Sequence, residues 1–437
     1  MTSSDLFRSL LLPDSIRPAV ADRAWIAAML EFEAALAAAE ARAGVIPGHA
    51  AAAIAAACDL ERFDPETLGR EGRAAGNPAV PLMRALTEAV EGDAARFVHW
   101  GATSQDVMDT AAMLVARRAL GVIAAELDGV ASACARLAEE HRGAVMPGRT
   151  LLQQAPPITF GLKAAGWLVS VLDAREGLVS VPLAVQLGGA AGTLAVLGGA
   201  GARVLALLAE ELELEEPVLP WHTARRRVAE LGAELALAAG ALEKIALDVA
   251  LLAQTDVGEV AERADRGGSS TLPHKRNPVG SVLAIACARR VRSEASILLA
   301  AMAQEHERAA GVWQAEWEAL GGGLAYTGGA AAAVREALEG LEVRPERMRE
   351  NLDGLVLAEA VSTALAGRLG RLEAHELVEE ASRRAVAAGR SLGDELADDP
   401  RVELPAAELA RLLDPDSYLG SADAFVERAL DHYRKER

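Results

Sequence analysis

Apolar residues return at helical spacing along most of the chain. Trp25, Met29, Phe32, Leu36 and Ala39 are separated by fours and threes, which lines one face of a helix, and Gly44 and Pro47 end it. Short helices broken by Pro47, Pro65 and the turn Gly76-Asn77-Pro78 follow, to about residue 110. Beyond them the pattern predicts long helices at 107–140, 158–178, 224–262, 279–305 and 313–339. In the third, Leu242, Ile245, Val249, Leu252, Asp256 and Val260 keep helical spacing while Glu243, Lys244 and Asp248 lie off that stripe. Glycine- and proline-bearing connections, MPGRTLLQQAPP, LGGAAGT and DRGGSSTLPHKRNP, separate them. The expected architecture is all-α: an N-terminal helical domain (1–110), a central bundle of long helices (111–350) and a C-terminal helical domain (351–437) with a break at Asp398-Asp399-Pro400.

Composition narrows this picture. Only 3% of the 437 residues are aromatic, so alanine-rich helices have to pack closely with few bulky side chains. A net charge of −19 repels nucleic acid and anionic lipid. Cys58, Cys134 and Cys287 form no CxxC pair and read as small core residues in a reducing cytoplasm. The N-terminus has no cleavable signal pattern, giving a cytoplasmic expectation. An uncharged stretch between Glu176 and Arg203 is long enough to suggest a membrane span, but Pro182, Gln186, Thr193 and repeated glycines argue for a buried, turn-containing segment. His49, His141, His222, His375 and His432 are scattered singly, so neither a metal nor another cofactor is expected. Gly188-Gly189-Ala190-Ala191-Gly192 superficially resembles a phosphate loop, yet no strand–helix alternation surrounds it.

Chemistry concentrates in residues 265–278. Paired glycines and serines loosen this segment, Pro273 and Pro278 restrict it locally, and its hydroxyls, Lys275, Arg276 and Asn277 suit an anionic substrate. The same residues also read as a plain connection in which Asn277 is an N-cap and Pro278 the first helical residue.

The run GSSTLPHKRNP (268–278) resembles the GSSxMPxKxNP motif of the fumarase/aspartase superfamily, with Leu272 for the usual methionine. HWGATSQDVMDTA (99–111) and GRTLLQQAPPITFG (148–161) match in the order that superfamily requires, and the likeness runs on to DPDSYLGSADAFVERAL near the C-terminus. The resemblance implies the three-domain all-α fold, a homotetramer whose active sites are shared between chains, and a small tricarboxylate substrate. By position it implies that Ser269 transfers the catalytic proton with His99 as a further catalytic residue, and that Thr103, Ser104, Gln153, Ser270, Lys275, Arg276 and Asn277 bind substrate. Such reactions pass through a carbanion beside a carboxylate, so fixed donors to the carboxylate oxygens stabilise the transition state more than the ground state.

One departure is informative. Where the superfamily's lyases read GRTH, this chain reads Gly148-Arg149-Thr150-Leu151, with Gln154 for a second histidine, and no early histidine lies near Asn77 to Leu82. A nitrogen leaving group needs a proton, whereas a carboxylate does not. The residues therefore favour cycloisomerisation. The wording of GATSQDVMDT, LGGAAGTLA and QEHERAAGVWQAEWE is similar to the bacterial branch that lactonises 3-carboxy-cis,cis-muconate. His274 and His306 stay open between substrate contact and a structural role, as do Arg149 and Arg308 between carboxylate clamp and surface ion pair.

Overall fold

The computed structural model describes residues 5–436 except 264, 266, 269, 270 and 273. Among the described residues it is built almost wholly of helices, and those of 20 residues or more are Asp22–Ala43, Ser104–Glu140, Phe160–Val179, Arg226–Leu252, Val279–Ala300 and Val312–Glu339. Two compact units divide the chain. One gathers residues 1–128, 173–243 and 283–334, the other residues 129–172, 244–282 and 335–437.

In the first unit the Asp22–Ala43 helix buries Met29, Phe32, Leu36 and Ala39, the stripe expected from the sequence. Gly44 ends it at φ +78°, a left-handed conformation that glycine takes without strain, and the amides of Gly44 and Val45 close on the carbonyls of Ala41 and Glu40. The uncharged stretch before Arg203 is irregular, with Ala184, Val185 and Leu187 fully buried and left-handed residues at Gly189, Gly192 and Leu194. Among the described residues no helix is long and apolar enough to cross a membrane. In the second unit a core of Val361, Leu365, Leu377, Val378, Leu392 and Leu396 joins the C-terminal helices, and Leu392–Ala397 stops just before Asp398-Asp399-Pro400.

Three predicted elements are corrected. The helix expected to reach residue 262 ends at Leu252, because Val257 and Gly258 turn back onto the carbonyl of Gln254 and Gly258 takes φ +65°. Val260 and Ala261 then pair antiparallel with Val343 and Glu342. The helix expected to reach residue 305 ends at Ala300, where the Gln304 amide donates to the carbonyl of Ala301. The segment MPGRTLLQQAPP, expected as a connection, is part of a hairpin of Val145–Thr150 and Gln153–Thr159. Leu151 and Leu152 form its two-residue turn at φ +51° and +65°, the conformation such turns demand of both central residues. Leucine seldom adopts it, so turn chemistry gave no sign of the hairpin.

Candidate active site

The first motif enters a helix through a tight turn. His99 and Gly101 have φ +57° and +75°, and the helix starts at Ser104. The Thr103 carbonyl accepts the Asp106 amide at 2.9 Å and Asp106 Oδ2 accepts the Thr103 amide at 3.0 Å, a reciprocal cap that fixes Thr103 and the half-buried Ser104 at the positive end of the helix. Asp106 is fully buried. Its carboxylate also accepts the amides of Gly188 and Gly189, both at 2.9 Å, and bonds His222 Nε2 at 2.6 Å. A Cβ on Gly188 would lie 2.7 Å from His222 Cε1, and one on Gly189 would lie 2.9 Å from the Gly101 carbonyl. These glycines allow close backbone approach, which is why the segment only looked like a phosphate loop.

Beneath this lies a second buried network. Arg225 sits between Asp109, at 2.7 and 3.0 Å, and Glu316, and Trp313 Nε1 donates to Asp109 at 2.9 Å. Gln105 and Gln186 also donate to Asp109, at 3.1 and 3.3 Å. Such a network holds its geometry because removing any one member strands a buried partner.

Two predicted residues project from this frame. Arg308 Nη1 donates to Thr103 Oγ1 at 2.9 Å, and its Nη2 reaches the carbonyls of Ala190 and Gly189 at 3.2 and 3.4 Å. Because Thr103 Oγ1 accepts from Arg308, its own hydrogen is left to donate. His99 Nδ1 lies 2.7 Å from Oε1 of the buried Glu33. Burial opposes the cationic imidazole, yet the Glu33 charge, its hydrogen bond and the nearby Asp106 outweigh that and raise His99 above its ordinary value. Asp106, His222 and Glu33 were missed in the sequence. His222 stands alone there, and its partner Asp106 is 116 residues distant. His306, left-handed at φ +48°, receives the Thr223 hydroxyl at its carbonyl.

The other two motifs meet in the second unit on residues 257–262. Arg149 grips the buried Glu259 with both Nη atoms, at 3.0 and 2.6 Å, and Asn351 Nδ2 adds a bond of 2.8 Å. Arg149 is thus held in an internal ion pair. Gln154 bridges the Asn351 carbonyl and the Asp353 amide at 2.8 and 3.0 Å, whereas Gln153 is exposed at the hairpin turn beside Leu151, itself 96% exposed.

Glu262 takes the amides of Gly280 and Ser281 at 2.8 and 2.9 Å and the Ser281 hydroxyl at 2.7 Å, capping the Val279–Ala300 helix from outside it. The helix starts after Pro278, so the reading of Asn277 as its N-cap is corrected. Asn277 instead closes the loop, with its amide N–H and Nδ2 both donating to the Gly267 carbonyl, at 3.0 and 2.9 Å. Gly267 has φ +73°, and a Cβ there would lie 2.1 Å from the Asn277 carbonyl oxygen. Arg276 pairs with Glu342 at 2.8 Å and bonds the Glu262 carbonyl. Lys275 and His274 are exposed; Ser269 and Ser270 lie outside the described residues. No group of metal-ligating side chains is found among the described residues.

Comparison with known proteins places this arrangement. Residues 14–293 match the family described as lyase, and residues 354–429 match the adenylosuccinate lyase C-terminus. A 3-carboxy-cis,cis-muconate cycloisomerase of Pseudomonas aeruginosa is 49% identical over 98% of this chain and 96% of that protein. A nitrosuccinate lyase of Streptomyces davaonensis is 47% identical over 95% of this chain and 92% of that one. The crystal structure of the 3-carboxy-cis,cis-muconate lactonizing enzyme from Pseudomonas putida superposes with a TM-score of 0.93 at 46% identity, covering 99% of each chain. The chain belongs to the lyase family of enzymes, within the fumarase/aspartase superfamily whose three motifs it carries.

Proposed function

We propose that the chain lactonises 3-carboxy-cis,cis-muconate to 4-carboxymuconolactone, the cycloisomerase step of protocatechuate breakdown in the beta-ketoadipate pathway. The observation that carries this reading is Leu151. Where the lyases of the superfamily carry a histidine, an apolar side chain stands at the exposed hairpin turn. A substrate carboxylate adds to a double bond, the new C–O bond displaces the π pair toward the carboxylate-bearing carbon, and a proton completes that carbon. The leaving group of the reverse step is a carboxylate, too weak a base to need an acid. The likeness to cycloisomerases over nearly the whole chain supports the same reading.

The site roles follow from chemistry. Thr103, with Arg308 bonded to its oxygen, holds one carboxylate at the start of the Ser104–Glu140 helix, assisted by Ser104. Lys275, Asn277, Arg276, Gln153 and Ser270 hold the others, Ser269 gives the proton to carbon, and His99 stabilises charge that builds on the nearest carboxylate. No cofactor enters the reaction. The superfamily resemblance supports a cytoplasmic homotetramer with shared sites.

A second reading rests on the nitrosuccinate lyase, almost as similar as the cycloisomerase. Nitrite, like a carboxylate, leaves without an acid, so Leu151 argues only against basic nitrogen leaving groups. Assaying purified enzyme with both compounds decides. The conjugated-diene absorbance of 3-carboxymuconate should vanish while nitrosuccinate yields no nitrite; nitrite release with an unchanged diene reverses the assignment.

A further inference from the structure

The first helix of the site region carries two buried carboxyl groups that the reaction above leaves unused. Glu33 and Glu40 are seven residues apart on the Asp22–Ala43 helix, two turns along one face, and they are 1% and 0% exposed. Glu33 Oε1 holds His99 Nδ1 at 2.7 Å, while Glu33 Oε2 and both oxygens of Glu40 have no hydrogen-bond partner among the described residues. His99 is left-handed at φ +57°, a conformation that costs an L-residue and is retained where surrounding contacts impose it. The side chain is 20% exposed, and its Nε2 makes no hydrogen bond among the described residues.

We propose that Glu33 is a positioning residue for the reaction: it holds His99 as an imidazolium bound through Nδ1–H, leaving Nε2–H as a charged donor for a substrate carboxylate, with neutral Glu40 behind it keeping the carboxylate charge single. This rests on the reading of His99 as a site residue for an anionic substrate. A cation at this position complements the hydroxyl of Thr103 and the guanidinium of Arg308, four and more residues along in the same unit. The charged groups acting on the imidazole are Glu33 from the Asp22–Ala43 helix and Asp106 from the Ser104–Glu140 helix, and Asp106 is itself bonded to His222. Burial and the charge of Glu33 push Glu40 up to about 9, so at neutral pH it holds its proton and adds no second charge. A neutral acid beside an ionised one is the arrangement by which a site keeps a defined single charge. Nothing in the local sequence marks Glu33, since it falls among the apolar positions of an alanine-rich helix.

The test is the titration of His99 in the intact enzyme, followed by NMR of protein labelled at the histidine Cε1, with the His99 resonance identified by its loss in His99→Gln. In the unaltered protein the midpoint should lie above the ordinary imidazole value of about 6.5. In Glu33→Gln it should fall by about one unit or more, and the alkaline limb of the kcat profile should move down with it, with kcat about tenfold lower above the new midpoint. A folded Glu33→Gln protein whose His99 midpoint does not move overturns the proposal. So does an unaltered His99 that titrates at or below the ordinary value, a result that stands even if the variant does not fold. Glu40→Gln mimics the neutral acid and should leave the His99 midpoint in place; a shift of a unit there means that Glu40 is charged and the assignment is wrong. The titration needs no substrate, so a failure to lactonise 3-carboxymuconate would remove the function proposed above without touching this result, and the converse holds.

Discussion

The first motif and the 265–278 loop, the two regions proposed to hold substrate carboxylates, are constructed in opposite ways. Around Thr103 the polar groups are buried and mutually bonded: Asp106 alone serves two glycine amides, the Thr103 amide and His222. Around Lys275 the described side chains are exposed or half-buried, and Asn277 bonds the Gly267 carbonyl while Arg276 pairs with Glu342. In the first region the proposed anion-binding geometry is inseparable from the buried polar network. In the second, the proposed binding groups among the described residues stand at or near the surface, Lys275 exposed and Arg276 and Asn277 half-buried.

The sharpest way to break this contrast is Asp106→Ala. It strands buried amides and an imidazole, so it should cost about 3–5 kcal/mol in urea denaturation; an unchanged midpoint would mean that water replaces the carboxylate and that the first region is no more rigid than the second. In the loop, Lys275→Ala should leave the denaturation midpoint in place while lowering kcat/KM roughly 10²-fold, about 2.7 kcal/mol, with a loss that varies with ionic strength. Ser269→Ala should match it in turnover but with little effect on affinity, as removal of a proton donor does. Equal damage to stability from either loop variant would erase the distinction. The smallest effect belongs to the hairpin turn. Leu152→Gly relieves a left-handed leucine, worth about 1–2 kcal/mol, against about 0.4–1 kcal/mol of added freedom in the unfolded chain, so the protein should become slightly more stable. A fall in thermal midpoint would show that packing of the Leu152 side chain outweighs its backbone strain.

Helical spacing made the long helices readable, because a stripe such as Met29, Phe32 and Leu36 records its own burial. Their ends were less readable. Val260 keeps the rhythm of the preceding helix but belongs to a strand, since Gly258 and the turn onto Gln254 interrupt the backbone without disturbing the apolar pattern. The hairpin stayed hidden because two leucines fill a turn that normally advertises itself with Asn-Gly or Asp-Gly. At the site, Thr103 and Arg308 were legible as residue types within motifs, and the structure brings them together. Glu33, Asp106 and His222 were not, because their meaning lies in partners 66 to 116 residues away. The same holds for Glu262, whose capping of a helix 18 residues further on displaced the local candidate Asn277.

The proton on Glu40 has a thermodynamic consequence for the whole chain. In the unfolded protein this carboxyl would titrate near the ordinary 4.5, whereas in the folded one it does so at about 9, so across that interval the native state binds more protons than the unfolded state. Folding at neutral pH is therefore a proton-absorbing reaction at this residue. Stability is greatest on the acid side of the interval and declines by about 1.4 kcal/mol per pH unit as pH rises toward the folded-state value. Refolding in dilute buffer with an indicator dye should register about one proton fewer taken up by Glu40→Gln than by the unaltered chain, and equal uptake would show that Glu40 is ionised in the native protein. A single alanine-flanked glutamate thus makes hydrogen ion a ligand of the folded state.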